Sequence, residues 1–169
     1  NYTTDAPNCN NDTDVSVPVA VDNCDGNING VGTRSDNALM NAPWPLGTTT
    51  ITWTFTDAAS NVKTCTQNVV VTDYDAPVIT RTGAAAIDLC INNFYTDAGA
   101  TANDNCDGDL TMMIVTDNPV NTSIPGTYVV KYDVSDAAGN AAIQVTRTVV
   151  VHNLPVPTCP SNFNACKTG

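Results

Sequence analysis

The chain has 169 residues, a formal net charge of −11 at pH 7, seven cysteines and no glutamate, so that all of its acid is aspartate. That balance disfavours nucleic acid and anionic membrane as partners and suits solubility and cations, and with no run of about 18 apolar residues there is no membrane span in this segment. Scarce leucine beside abundant Thr, Val, Asn and Asp favours strands and turns over helices, while cysteines without zinc-ligand spacing indicate disulfides in an oxidising, extracellular or cell-surface setting, one thiol being left over.

In chain order, residues 1–14 are polar and loop-like, with Cys9 as their anchor. Val15, Val17, Val19 and Val21 alternate with smaller residues and predict a strand with one buried face. Asp22 to Gly32 is acidic and turn-forming, 33–46 is irregular, and Trp44 between Pro43 and Pro45 is expected to plug the end of a core. From Gly47 a period of two returns, with Ile51, Trp53 and Phe55 facing inward and Thr50, Thr52, Thr54 and Thr56 outward. Residues 57–61 turn, and 64–72 form a strand whose buried end is Val69 to Val71. Asp73-Tyr74-Asp75-Ala76-Pro77 is a short linker, stiffened by a proline that no central strand accepts. Strands follow at Val78 to Arg81, Ala86 to Ile91 and Leu110 to Val115, the last after an acidic turn at Asn103 to Asp109. Tyr128, Val130, Tyr132 and Val134 face inward, and 145–151 closes the unit. His152 to Pro157 is a second linker, and 158–169 opens an element that the chain does not finish.

The chain repeats itself. DNCDGN (Asp22 to Asn27) returns as DNCDGD (Asp104 to Asp109), an offset of 104 − 22 = 82. GTTTITWTFTDAASN (Gly47 to Asn61) returns as GTYVVKYDVSDAAGN (Gly126 to Asn140), an offset of 126 − 47 = 79. Two matched segments in the same order mark tandem modules of about 75 to 85 residues, the size of small β-sandwiches. The expected division is 1–73, 74–153, and 154–169 as linker and opening strand of a further module.

These motifs carry a resemblance. The first module, with VDNCDG, PLGTTTITWTFTDAASN and KTCTQNVVV, resembles the hyalin repeat, an immunoglobulin-like extracellular module. The second, with YTDAGATANDNCDGDLT, IPGTYVVKYDVSDAAGN and TRTVVV, resembles an immunoglobulin-like domain of bacterial surface proteins. The resemblance implies an all-β chain of two tandem immunoglobulin-like β-sandwiches, with a C-terminal strand that belongs to the next unit. A hyalin repeat opens with a Cys-Pro strand that module one lacks, and Thr158-Cys159-Pro160 is its match. If the first strand runs beside the last, Cys159 of one copy meets Cys65 of another, and Cys166 is the odd thiol. Spacing alone predicts local disulfides, Cys9 with Cys24 and Cys90 with Cys106, each closing a loop worth about 3 kcal/mol in the chain-entropy model. Cys24 with Cys65 is the rival pairing.

No catalytic apparatus is expected, because the one histidine, His152, sits beside a linker and paired carboxylates in repeated Asp-Asn-Gly turns are ordinary turn chemistry. The acidic turns are also candidates for calcium (Ca2+), whose ligands are loop oxygens. In an immunoglobulin-like sandwich both turns reach the end that the linker meets, which would gather Asp75, Asp104, Asp107, Asp109 and Asp136 in module two, and Asp22, Asp25 and Asp57 in module one. The sequons at Asn1, Asn11 and Asn121 are no more than chance supplies in so Asn- and Thr-rich a chain. The expected function is a non-catalytic structural repeat unit of an extracellular fibre, filament or giant cell-surface adhesin, assembled head-to-tail with copies of itself, residues 154–169 entering module one of the next copy. The alternative is a module that binds a glycan or a cell-surface ligand.

Overall fold

The computed structural model describes the backbone of residues 2–3 and all of 9–153. Within them the chain is all β apart from one short 3-10 turn. In chain order the strands are β1 (Tyr2–Thr3), β2 (Asn10–Asn11), β3 (Val19–Asp22), β4 (Gly26–Asn29), β5 (Val31–Arg34), β6 (Trp44–Pro45), β7 (Gly47–Thr56), β8 (Val62–Thr72), β9 (Val78–Arg81), β10 (Ala86–Cys90), β11 (Ala100–Asp104), β12 (Gly108–Asp109), β13 (Val115–Asp117), β14 (Gly126–Asp133) and β15 (Val145–His152). The expected opening strand within 154–169, with Cys159 and Cys166, lies outside the described residues.

Each module is built on one long hairpin. In the first, β7 and β8 pair from Gly47 opposite Val71 to Thr56 opposite Val62, and β5 adds to the far side of β7. In the second, β14 and β15 pair from Gly126 opposite Val151 to Tyr132 opposite Val145, with β13 outside β14. The hairpins form because the period of two is uninterrupted and both turns are Asp-Ala-Ala-x-Asn. Ile51 and Trp53 enter a core with Trp44, Val69 and Val71, against which Phe55 is half-buried. Val130, Tyr132, Val134 and Val149 enter a second core, joined by Ile79 and Ala102 from the facing sheet β12-β11-β9. In both modules an early strand lies parallel to the closing one. In module two β10 runs beside β15 over five positions, from Ala86 opposite Thr148 to Cys90 opposite His152, whereas in module one, among the described residues, β1 meets β8 at Val71 and Thr72.

Three expectations are corrected. The valine alternation at 15–21 does not supply a buried face: β3 pairs only with β4 in a two-stranded ribbon, and Val17, Val19 and Val21 point outward, Val21 being 81% exposed. A ribbon of two strands has no second layer of its own to cover such a face. Leu110 to Val115 is not one strand, because Leu110, Met113 and Ile114 are drawn into a 3-10 turn at Thr111–Met113 before β13 begins. The disulfides are not local either. Cys9 is bonded to Cys106, 97 residues away and in the other module, with Cα atoms 5.1 Å apart, while Cys24, Cys65 and Cys90 are exposed free thiols.

Candidate functional site

The acidic turns are built alike in the two modules, bond for bond. Asp22 Oδ1 accepts the amides of Cys24 and Asp25 at 2.7 and 3.0 Å, and Asp104 Oδ1 accepts those of Cys106 and Asp107 at 2.7 and 2.9 Å. The second aspartate then reaches the hairpin turn: Ala58 N donates to Asp25 Oδ2 at 2.8 Å, and Ala137 N to Asp107 Oδ2 at 2.6 Å. The third aspartate closes its own turn. Asn61 donates its amide and its Nδ2 to the two oxygens of Asp57 at 2.7 and 2.6 Å, and Asn140 does the same to Asp136 at 2.7 Å for both. These bonds from Asn61 hold Asp57 below the usual carboxylate range. The repeated motif is therefore a clip: one acidic loop fastens the tip of the long hairpin to the neighbouring strand pair, with each aspartate meeting an amide that would otherwise lack a partner.

At module two the linker joins this clip. Asp73 is 3% exposed, Asp104 3% and Asp136 8%. One carboxylate oxygen of Asp73 and one of Asp104, with the sulfur of Cys106, lie within 4.8 Å of one another. The linker is tied down by Asn140 Nδ2, which donates to the Asp73 carbonyl at 3.2 Å, and by Asn105 Nδ2, which donates to Asp75 Oδ2 at 3.0 Å. Asp73 Oδ1 accepts the Asp75 amide. Burial pushes the Asp73 carboxyl up from its ordinary value, against that amide bond, and the charges of Asp104, Asp136 and Asp75 push the same way.

Of the expected acidic set, then, Asp75, Asp104 and Asp136 come to the junction. Asp107 is occupied by the hairpin amide, and exposed Asp109 caps Thr111, which lowers its pKa. Asp22, Asp25 and Asp57 form the module-one clip, and among the described residues they meet no linker acid. Asp73, absent from that set, was legible. Val69 and Val71 are inward on β8, and carrying their period of two one step past the strand puts Asp73 on the same buried face.

A second polar centre lies inside module two. Arg147, fully buried, donates Nη1 to Asp97 Oδ1 at 2.6 Å and Nη2 to the Thr82 carbonyl. Tyr132 Oη donates to Asp97 at 2.7 Å, Tyr95 Oη at 2.9 Å, and Gly99 N at 3.1 Å. Burial works against the Asp97 carboxylate, but the hydroxyls of Tyr132 and Tyr95 and the Arg147 charge outweigh it, and the net shift is downward. Burial, followed by Asp97, keeps the Tyr132 hydroxyl protonated well above its usual range. In module one buried Arg34 instead stacks on Trp44, 3.9 Å from the ring centre, and donates to Asp36 and to the carbonyls of Leu39, Ala42 and Pro43. Both arginines fasten loops over a core. His152 forms an exposed pair with Asp88 at 2.7 Å across β10 and β15.

A family match agrees with the all-β fold of the second module. Residues 79–151 match the family described as "Bacterial surface protein, Ig-like domain". The chain holds an immunoglobulin-like surface domain. It is similar to hyalin of Strongylocentrotus purpuratus, at 34% identity over 125 residues, covering 69% of this chain and 10% of that protein. An uncharacterised 81.3 kDa protein of Acholeplasma phage L2 is 34% identical over 115 residues, covering 65% of this chain and 16% of that one. The chain thus spans a small part of the curated relatives it matches. Among solved structures, a lipoprotein of Bacteroides thetaiotaomicron is similar over 48% of this chain and 40% of its own, at 26% identity and a TM-score of 0.43.

Proposed function

We propose that this chain is a non-catalytic structural unit of an extracellular fibre or giant cell-surface adhesin, joined head-to-tail to further copies. The observation that carries the reading is the open edge of β8. Among the described residues, positions 62–70 of β8 have no strand on the side away from β7, whereas β15, its counterpart, holds β10 there over five positions. An exposed strand edge is a template for a further strand, and filling it completes the sheet while hiding unpaired backbone. The occupant is residues 154–169 of the neighbouring copy. Cys65 lies within this open stretch as an exposed free thiol, which suits a covalent bond to Cys159 of the added strand. The junction supports the same reading, because a disulfide joins the two modules and two side-chain hydrogen bonds hold the linker between them against module two, as a unit under tension requires.

Peptide mapping of assembled material under non-reducing conditions is expected to recover Cys65 joined to Cys159, and electron microscopy a fixed axial repeat of two modules. Material that stays monomeric, or assemblies in which Cys65 alkylates freely and residues 154–169 remain sensitive to protease, would overturn it.

A further inference from the structure

The geometry points to a calcium site at the module junction, with Asp73 and Asp104 as its core ligands. The clip does not explain this pair. Among the described residues, module one builds the same clip around Asp22 without a buried acid beside it. Yet Asp73 carries its carboxylate into the module-two clip, where Asp104 Oδ2 is buried and accepts no hydrogen bond from any described residue. Buried carboxylate oxygens are nearly always satisfied by a donor or a cation. None of the ion pairs among the described residues involves Asp73, Asp104 or Asp136.

The chemistry suits a hard cation, and the spacing is compatible with calcium. Calcium binds oxygens at about 2.3 to 2.6 Å, so two oxygens on opposite sides of one ion lie about 4.6 to 5.2 Å apart, and the candidate ligand atoms here lie within 4.8 Å of one another. Cys106 is the third member of that group, but its sulfur is bonded to Cys9 and offers no thiolate, which leaves an oxygen set suited to a hard cation. Asp104 also borders a surface cleft, together with Asp75, Asn103 and Asn105. Exposed Asp75 lines the same cleft and is the candidate for a further ligand, together with water.

The site does not depend on the assembly proposed above and is tested on the isolated chain. After stripping with EDTA, calcium alone is titrated by calorimetry, and a dissociation constant of about 10−4 to 10−3 M is expected, the range of extracellular modules. Asp73→Asn should weaken binding at least about tenfold, and Asp22→Asn, the module-one counterpart of Asp104, should leave it unchanged. Asp73 accepts a single side-chain hydrogen bond, from Asp75, so the variant is expected to fold. Melting in EDTA separates loss of a ligand from loss of a fold. Without calcium Asp73→Asn should melt no lower than the parent, because a like charge has gone, and with calcium it should melt lower. No heat and no rise in melting temperature up to about 10 mM calcium would overturn the proposal. So would equal weakening by Asp73→Asn and Asp22→Asn, or an Asp73→Asn chain already less stable in EDTA.

Discussion

Replacing Asp97 by alanine tests whether the buried polar centre of module two stabilises that module, and it isolates the two halves of the chain. Among the described residues Asp97 is the one carboxylate paired with the fully buried Arg147, and it accepts from both Tyr95 and Tyr132. Its loss leaves a guanidinium without its counterion, although the Thr82 and Gly99 carbonyls still accept from Nη2. Breaking one side of a buried pair costs about 3 to 5 kcal/mol. A domain of roughly 75 residues has a stability of only about 4 to 11 kcal/mol at ordinary stability per residue, so the loss takes between about a quarter and all of it. The assay is urea denaturation followed by two signals. Both tryptophans, Trp44 and Trp53, belong to module one, so their fluorescence reports that module, while circular dichroism reports both. The circular dichroism curve should split, its early part belonging to module two, and the fluorescence transition should stay in place. A compensated variant, Asp97→Ala with Arg147→Met, should recover most of the loss, because an apolar replacement leaves no orphaned charge. A single variant within about 0.5 kcal/mol of the parent, or a double variant no better than the single, would show that the pair is a passenger.

The two perturbed acids predict opposite responses to pH. Asp97 is depressed in the fold, so its contribution is present above the unfolded value of about 3.9 and is lost as pH falls through its lower folded value; melting of module two should drop there. Asp73 is raised, so in EDTA its charging opposes the fold, and stability should decline as pH rises from about 3.9 through its folded value, a decline that Asp73→Asn should flatten. An alanine Cβ at Gly32 would lie 2.8 Å from the Trp53 ring and 3.0 Å from Met40 Sδ; Met40 can move but the buried ring cannot, so Gly32→Ala should destabilise module one by about 1 to 3 kcal/mol, read from tryptophan fluorescence. Reduction of Cys9–Cys106 should leave both modules folded and increase their relative motion in small-angle scattering, whereas simultaneous loss of module two would mean that the bond serves the fold rather than the joint.

The repeat was legible because it is carried by turns, and turn chemistry is local. Asp, Asn and Gly at fixed offsets specify a loop almost regardless of what surrounds it, and so the clips of modules one and two are identical while their cores differ: Trp44 and Trp53 in one, Tyr132 and Arg147 in the other. Alternation was legible for the hairpins for a related reason, since a long paired strand leaves no freedom over which face is inward. It misled at Val17, Val19 and Val21, where the pattern of a buried strand sits on a ribbon with nothing packed over it. Pattern records that a strand has two faces, and only the neighbours decide which is covered.

Cysteine pairing failed differently. Spacing of 15 or 16 residues describes how readily two thiols meet in an unfolded chain, whereas the bond that forms is set by where the folded backbone brings their Cβ atoms. Cys9 precedes module one's first hairpin, and Cys106 sits in the clip at the far module's linker end, so a contact between them reports the packing of the two modules, which no local signal encodes. The same junction holds the acid that was passed over. Asp73 follows Val69 and Val71 in strict alternation, and an acid placed where the pattern demands a valine is either a defect or a ligand. The calcium site proposed above makes it a ligand, and the observation behind that reading is a buried oxygen of Asp104, from a loop 31 positions away as 104 − 73 counts it, that accepts no hydrogen bond from any described residue.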